Sequence, residues 1–150
     1  VANNYLQFSE HLELPKGHEA RSEKVLSRLK MLNDELYDEM ETDSNEDVEA
    51  YPSDEDKEAL PDGFYVQAET DEKGVWFYSE ESGDLEAVFY TAQLLLKEFD
   101  IKEPFVVSWA YTCSKPRISE FGGGAAAIYQ DNIISIDARE HIEKLVNSKK

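Results

Sequence analysis

Apolar and polar residues alternate over residues 5–14. Leu6, Phe8, Leu12 and Leu14 fall on one side and Tyr5, Gln7, Ser9 and His11 on the other, the period of a half-buried strand. Pro15 and Gly17 interrupt it. Over residues 18–40 the spacing becomes helical, with Val25, Leu29, Leu32, Leu36 and Met40 on one stripe and Leu26 beside it. Residues 38–58 are dense in Asp and Glu, with Lys57 the one basic residue. Like charges at that density repel, and few apolar side chains offset the entropy of ordering. The pattern predicts a solvated connector over about 38–60, a loop or short frayed helix, with an interaction segment as the alternative.

Past Pro61, Asp62 and Gly63 the β pattern returns. Two short runs, 64–69 and 75–79, flank the polar residues 70–74 and predict a hairpin. Asp84 then caps a helix whose Leu85, Val88, Phe89, Ala92, Leu95, Leu96 and Phe99 make a wide apolar face that must lie against a sheet. Residues 105–113 are almost uninterrupted apolar, which predicts a strand that is central in its sheet or covered on both sides. Residues 125–129 and 133–136 pair across Gln130, Asp131 and Asn132, and Asp137 with Glu140 reads as a capping box for a last short helix through Val146. The order is strand, helix, hairpin, helix, strand, hairpin, helix. It predicts a single α+β domain over residues 1–150: a mainly antiparallel sheet with helices packed largely on one face. A ferredoxin-like arrangement of the early elements with the last strands appended is among the few topologies open to it.

Composition narrows the function more than the fold. The chain has 150 residues, enough to bury about two thirds of its unfolded surface, and its formal charge is −18. Phosphates would be repelled at long range, so direct nucleic-acid binding is not expected. An acidic surface serves solubility alone or attracts a basic protein partner. A homo-oligomer is also open. The one cysteine, Cys113, excludes an internal disulfide and a multi-cysteine zinc site, and fits a reducing compartment such as the cytoplasm. Residues 1–9 hold no basic segment followed by an apolar core, and no stretch approaches the length of a membrane span.

The stretch that invites a chemical reading contains Trp109, Tyr111, Cys113, Lys115, Arg117, Glu120, Phe121, Gly122, Gly123 and Gly124. Lys115 and Arg117 are a rare basic pair in this chain, placed where a strand ends and a glycine run begins. Glycines permit close backbone approach and loops at strand ends carry many sites, so docking of a ligand or peptide is one reading. The other is structural: the glycines let a strand bulge or pack tightly, while the two cations pair with nearby carboxylates. The run is no phosphate loop or dinucleotide fingerprint, since it lacks the following Lys and Ser or Thr and leads into a strand. Cys113 has no base assigned to it among His11, His18 and His141, so packing outweighs catalysis. Asp43, Asn45 and Asp47 begin like a calcium loop, but Val48 stands where the turn requires glycine. No catalytic residue, metal ligand or cofactor is expected. Trp76 and Tyr78 share one face of their strand, either for a partner or as a second layer of core.

The opening residues Ala2, Asn3, Asn4, Tyr5, Leu6, Gln7 and Phe8, with the Cys-Ser-Lys-Pro-Arg and Glu-Phe-Gly-Gly-Gly segments, resemble a family of small uncharacterised bacterial proteins often encoded near phage or plasmid genes. The resemblance covers about a quarter of the chain. It implies one soluble intracellular domain and a mobile-element setting, and it attaches no activity. The sequence reading is therefore a non-enzymatic protein-interaction module with residues 113–124 as contact surface. In a mobile-element setting its sharper form is an acidic mimic occupying a nucleic-acid-binding groove. The alternative is a small-molecule binding protein or enzyme whose pocket would gather Cys113, Lys115, Arg117 and Glu120.

Overall fold

The computed structural model describes residues 3–30, 53–59 and 66–149. Along them lie β1 (Asn4–Glu13), α1 (Glu19–Lys30), α2 (Asp54–Ala59), β2 (Ala68–Asp71), β3 (Gly74–Ser79), α3 (Leu85–Glu98), β4 (Phe105–Cys113), β5 (Gly122–Ile128), β6 (Ile133–Asp137) and α4 (Ala138–Asn147). The strands form one sheet in the order β2-β3-β1-β4-β5-β6, every neighbouring pair antiparallel. Read from β4, the first four have the order 4-1-3-2 of a ferredoxin-like split βαβ unit, and β5 and β6 extend its β4 edge.

The period-two pattern of β1 sets which face is core. Phe8 and Leu12 are buried, and their register partners Ser79 and Val75 put Phe77 on the same face. Phe105 and Val107 of β4 and Ala126 and Ile128 of β5 join them. α1 closes this face with Val25, Leu26 and Leu29, and α3 with Ala87, Val88, Ala92, Leu95 and Leu96. Full burial of one such side chain contributes about 1.5–3 kcal/mol, so the two helices and the sheet hold each other in place. His18, at the start of α1, is buried and satisfied: Nε2 donates to the Asp71 carbonyl at 2.9 Å, and Nδ1 is hydrogen-bonded with the Ser22 hydroxyl at 2.7 Å.

No helix among the described residues covers the opposite face with buried side chains. β4 is central, as its apolar run predicts, but it is not covered on both sides, since Val106 is 53% exposed. Trp76 and Tyr78 stack at 4.1 Å on this face rather than forming a second core layer, and Trp76 Nε1 donates to Ser9 Oγ at 2.9 Å.

Three expectations need adjusting. The early hairpin is tighter than its sequence suggests, with Glu72 and Lys73 alone between Asp71 and Gly74. Asp71 draws it in, because its Oδ1 accepts the backbone N–H groups of Lys73 at 2.8 Å and Gly74 at 2.9 Å. The last helix carries only half a capping box. Asp137 Oδ1 accepts from Glu140 N–H at 3.0 Å, but the Glu140 carboxylate pairs at 3.2 Å with Lys144 one turn on. The acidic connector holds the short helix α2, one of the forms expected of it, but Asp56 in that helix is buried rather than solvated. Residues 31–52, which include the rest of the first helical stripe and Asp43, Asn45 and Asp47, lie outside the described residues, as do Phe64 and Tyr65.

His11 Nε2 meets the Asp71 carboxylate at 2.9 Å on the open face. That hydrogen bond, with smaller help from the backbone N–H groups of Lys73 and Gly74, holds the Asp71 carboxyl below its ordinary value. The folded carboxyl is thus more acidic than the unfolded one, so its stabilising interactions are complete above the unfolded pKa and lost as pH falls through the folded value. In a carboxyl-carbon NMR titration Asp71 is expected to titrate below the normal Asp range in the wild type and to move upward in His11→Ala.

Candidate functional site

Residues 113–124 span the end of β4, a turn and the start of β5. The turn is anchored at its first residue: Ser114 N–H donates to the Asn3 carbonyl at 2.9 Å, and Asn3 N–H donates to Ser114 Oγ at 2.8 Å. Arg117 N–H donates to the Lys115 carbonyl at 2.8 Å, and Ser119 takes a left-handed backbone, φ 67°, which is costly for a residue with a Cβ. The side chains of this turn are exposed from Ser114 to Ser119. Lys115 and Arg117 are exposed and form no ion pair with a described residue. Ile118 is 93% exposed and Phe121 50%.

The three glycines belong to β5, not to the turn. Gly122, Gly123 and Gly124 pair with Tyr111, Ala110 and Trp109. A Cβ on Gly124 would come within 2.5 Å of the Trp109 indole and would also strike the Ile136 carbonyl oxygen, whereas one on Gly122 would find only ordinary contact, 3.7 Å from the Tyr111 ring. Trp109, packed on Phe89 at 5.9 Å between ring centroids, fills the space that a side chain at 124 would need.

A cavity of about 320 Å³ opens between this turn, the start of β1 and the start of α4. Its walls include Tyr5, Tyr111, Glu120, Phe121, Asp137 and Arg139. Of the predicted group it takes Glu120 but not Cys113, Lys115 or Arg117. The free thiol of Cys113 is half-buried at the end of β4. The histidines are placed elsewhere: His11 pairs with Asp71, His18 is buried against Ser22, and His141 is exposed on α4. Across Tyr5 and Tyr111 the surface continues into a wider groove of about 710 Å³ that is acidic, with Glu81, Asp84 and Glu86 along it.

The larger pattern is one that no single motif carries. Of the ten exposed large hydrophobic residues among the described ones, nine lie after residue 104: Val106, Tyr111, Ile118, Phe121, Ile134, Ile136, Ile142, Leu145 and Val146. The same portion is almost uncharged. Residues 104–150 hold six Lys or Arg against five Asp or Glu, while residues 1–103 hold nine against 28. Ile134 and Ile136 project from the open face of β6 beside Ala127 and Ala125, their register partners on β5. Sequence reading missed this grouping because each apolar run in it looked like core, and only the register shows which side of the sheet is bare. No helix among the described residues is long and apolar enough to cross a membrane. Comparison with protein-family models, with curated proteins and with solved structures finds no match to this chain.

Proposed function

We propose that this protein is a non-enzymatic protein-interaction module that docks a basic protein partner, with residues 113–124 at the centre of the contact surface, in a reducing compartment such as the cytoplasm. The observation that carries this reading is the coincidence of exposed apolar side chains with the charge-poor portion of a chain of net charge −18. Contiguous exposed apolar area on a monomer marks interaction sites. The acidic body supplies a field that steers a positively charged protein toward it. Ile118 and Phe121 are the apolar anchors, Lys115 and Arg117 rim them, and the groove with Glu81, Asp84 and Glu86 accepts the partner's cations. In a mobile-element setting the partner is a nucleic-acid-binding protein, whose positive groove the acidic body would occupy.

The test compares capture of basic proteins by the wild type with capture by Ile118→Ser/Phe121→Ser and by Lys115→Ala/Arg117→Ala. All four side chains are exposed, so the fold is expected to survive. Loss of a central anchor pair is expected to lower recovery of the specific partner by about tenfold or more, and added salt to weaken wild-type binding. Recovery by both variants equal to that of the wild type would remove the assigned surface. A melting temperature raised by a small metabolite, and no protein partner, would favour the alternative of a ligand seated in the 320 Å³ cavity.

A further inference from the structure

The C-terminal helix α4 is amphipathic, yet none of its residues is buried. Ala138, Ile142, Leu145 and Val146 recur at the spacing of one helical stripe, and the last three expose about half of their surface. A ten-residue helix is marginal in water by itself, and most helical stability in proteins comes from packing such a stripe against something. Among the described residues α4 lacks such full packing: its principal neighbours are β5 and β6, and the stripe beside them stays about half exposed.

From these observations we infer that α4 is a self-association helix whose stripe packs against the same stripe of a second copy of this chain, antiparallel about a two-fold axis near Ile142. Charge selects this occupant. Residues 133–149 hold Asp137, Glu140 and Glu143 against Arg139, Lys144 and Lys149, no net charge on a chain of −18. Two such acidic molecules repel least where charge is absent, so a contact between copies belongs here. A basic partner is drawn instead to the turn beside the acidic groove, where Glu81, Asp84 and Glu86 accept its cations. A membrane surface calls for a cationic polar face, whereas the polar face of α4 carries the Glu140–Lys144 pair.

The orientation follows from the flank. Arg139 and Glu143 lie on the same edge of the stripe, 3.3 Å apart and both well exposed. In an antiparallel pair related by a two-fold axis, the same edge of each helix meets its own copy running the other way. Arg139 of one copy then lies beside Glu143 of the other, and each residue can serve both its own helix and its neighbour. A parallel pair would set this edge against His141 instead. The stripe is short of the area of a standard stable interface, so the association is weak and dependent on concentration.

Sedimentation velocity on the purified full chain, without any partner, separates this inference from the basic-partner reading, because each can fail while the other stands. The wild type is expected to show a monomer–dimer equilibrium that tightens several-fold as salt rises, since screening relieves the repulsion between two acidic bodies. Binding to a basic protein changes in the opposite direction. Ile142→Glu/Leu145→Glu is expected to be monomeric at every concentration with an unchanged melting temperature for the body of the fold. Arg139→Glu and Glu143→Arg should each weaken the dimer several-fold, and the exchanged double variant should restore it. A wild type monomeric at all concentrations and salts, a dimer that survives Ile142→Glu/Leu145→Glu, or an exchanged variant no better than the single ones would overturn the inference.

Discussion

Replacing Asp56 with alanine is expected to cost the fold about 3–5 kcal/mol, the usual result of breaking a buried ion pair by removing one partner. Asp56 is an acidic residue in an acidic segment, yet its side chain is 1% exposed. Each carboxylate oxygen has two neighbours. Oδ1 accepts from Arg28 Nη2 at 3.1 Å and from the Tyr90 hydroxyl at 2.6 Å, and Oδ2 accepts from Ser53 N–H at 2.9 Å. Arg28 Nε lies 2.7 Å from Oδ2, ion-paired but misaligned for a hydrogen bond. Ser53 Oγ in turn accepts from Asp56 N–H at 3.1 Å, so residues 53 and 56 cap α2 reciprocally while the carboxylate fastens it to α1 and α3. Burial, reinforced by the Asp56 hydrogen bond, raises the Tyr90 pKa well above the normal phenol value, which keeps the hydroxyl a donor. Without Asp56 the Arg28 charge, only 24% exposed, has no ion-pair partner among the described residues. Urea denaturation followed by circular dichroism measures the loss, and hydrogen exchange over residues 54–59 reports the release of α2. Tyr90→Phe, which deletes one donor, is expected to cost about 1 kcal/mol. The paired change Arg28→Met/Asp56→Leu should cost less than Asp56→Ala, because it leaves no orphaned charge. A loss below about 0.5 kcal/mol for Asp56→Ala, the size of a surface substitution, would mean that α2 is not held by this carboxylate.

That carboxylate also shows where sequence reading stops. Local rules succeed where the cause is local. The alternation in β1 gives both a strand and its buried side, and Asp84 caps α3 as expected, its side chain accepting from Ala87 N–H at 3.3 Å. Asp56 was hidden because its partners, Arg28 and Tyr90, are 28 and 34 residues away. Within its own neighbourhood it is one of many like charges, and solvation is the default reading. The stripe of α4 is equally legible as amphipathic, but periodicity says only that an apolar face exists, not what covers it. Lys115 and Arg117 could be placed at a strand end from sequence. Their freedom from ion pairs with described residues depends on which carboxylates the fold brings near them, and sequence alone does not give that.

The glycine run is the sharpest case of one pattern with two meanings, and stepwise substitution separates them. Gly122→Ala is expected to change stability by less than about 0.5 kcal/mol, as a surface substitution does, because its new methyl group would meet only the Tyr111 ring at 3.7 Å. Gly123→Ala and Gly124→Ala are expected to cost about 1–3 kcal/mol each, the range for forcing a methyl group into occupied space. The two obstacles differ in kind. At 123 the methyl group would lie 2.7 Å from the Trp109 carbonyl oxygen, which is backbone and cannot step aside without disturbing the β4–β5 pairing. At 124 part of the obstacle is the Trp109 indole itself, at 2.5 Å. Shortening that side chain should therefore recover part of the loss in Gly124→Ala/Trp109→Leu, measured against Trp109→Leu alone, and none of it in Gly123→Ala/Trp109→Leu. A deficit that remains at 124 would belong to the Ile136 carbonyl, which the shorter side chain leaves in place. If all three alanine variants were equally stable, close packing would not require these glycines, and the docking reading would regain them. With the expected gradient they are spacers for an indole, and any contact surface at this end of the sheet is left to the turn and its exposed Lys115, Arg117, Ile118 and Phe121.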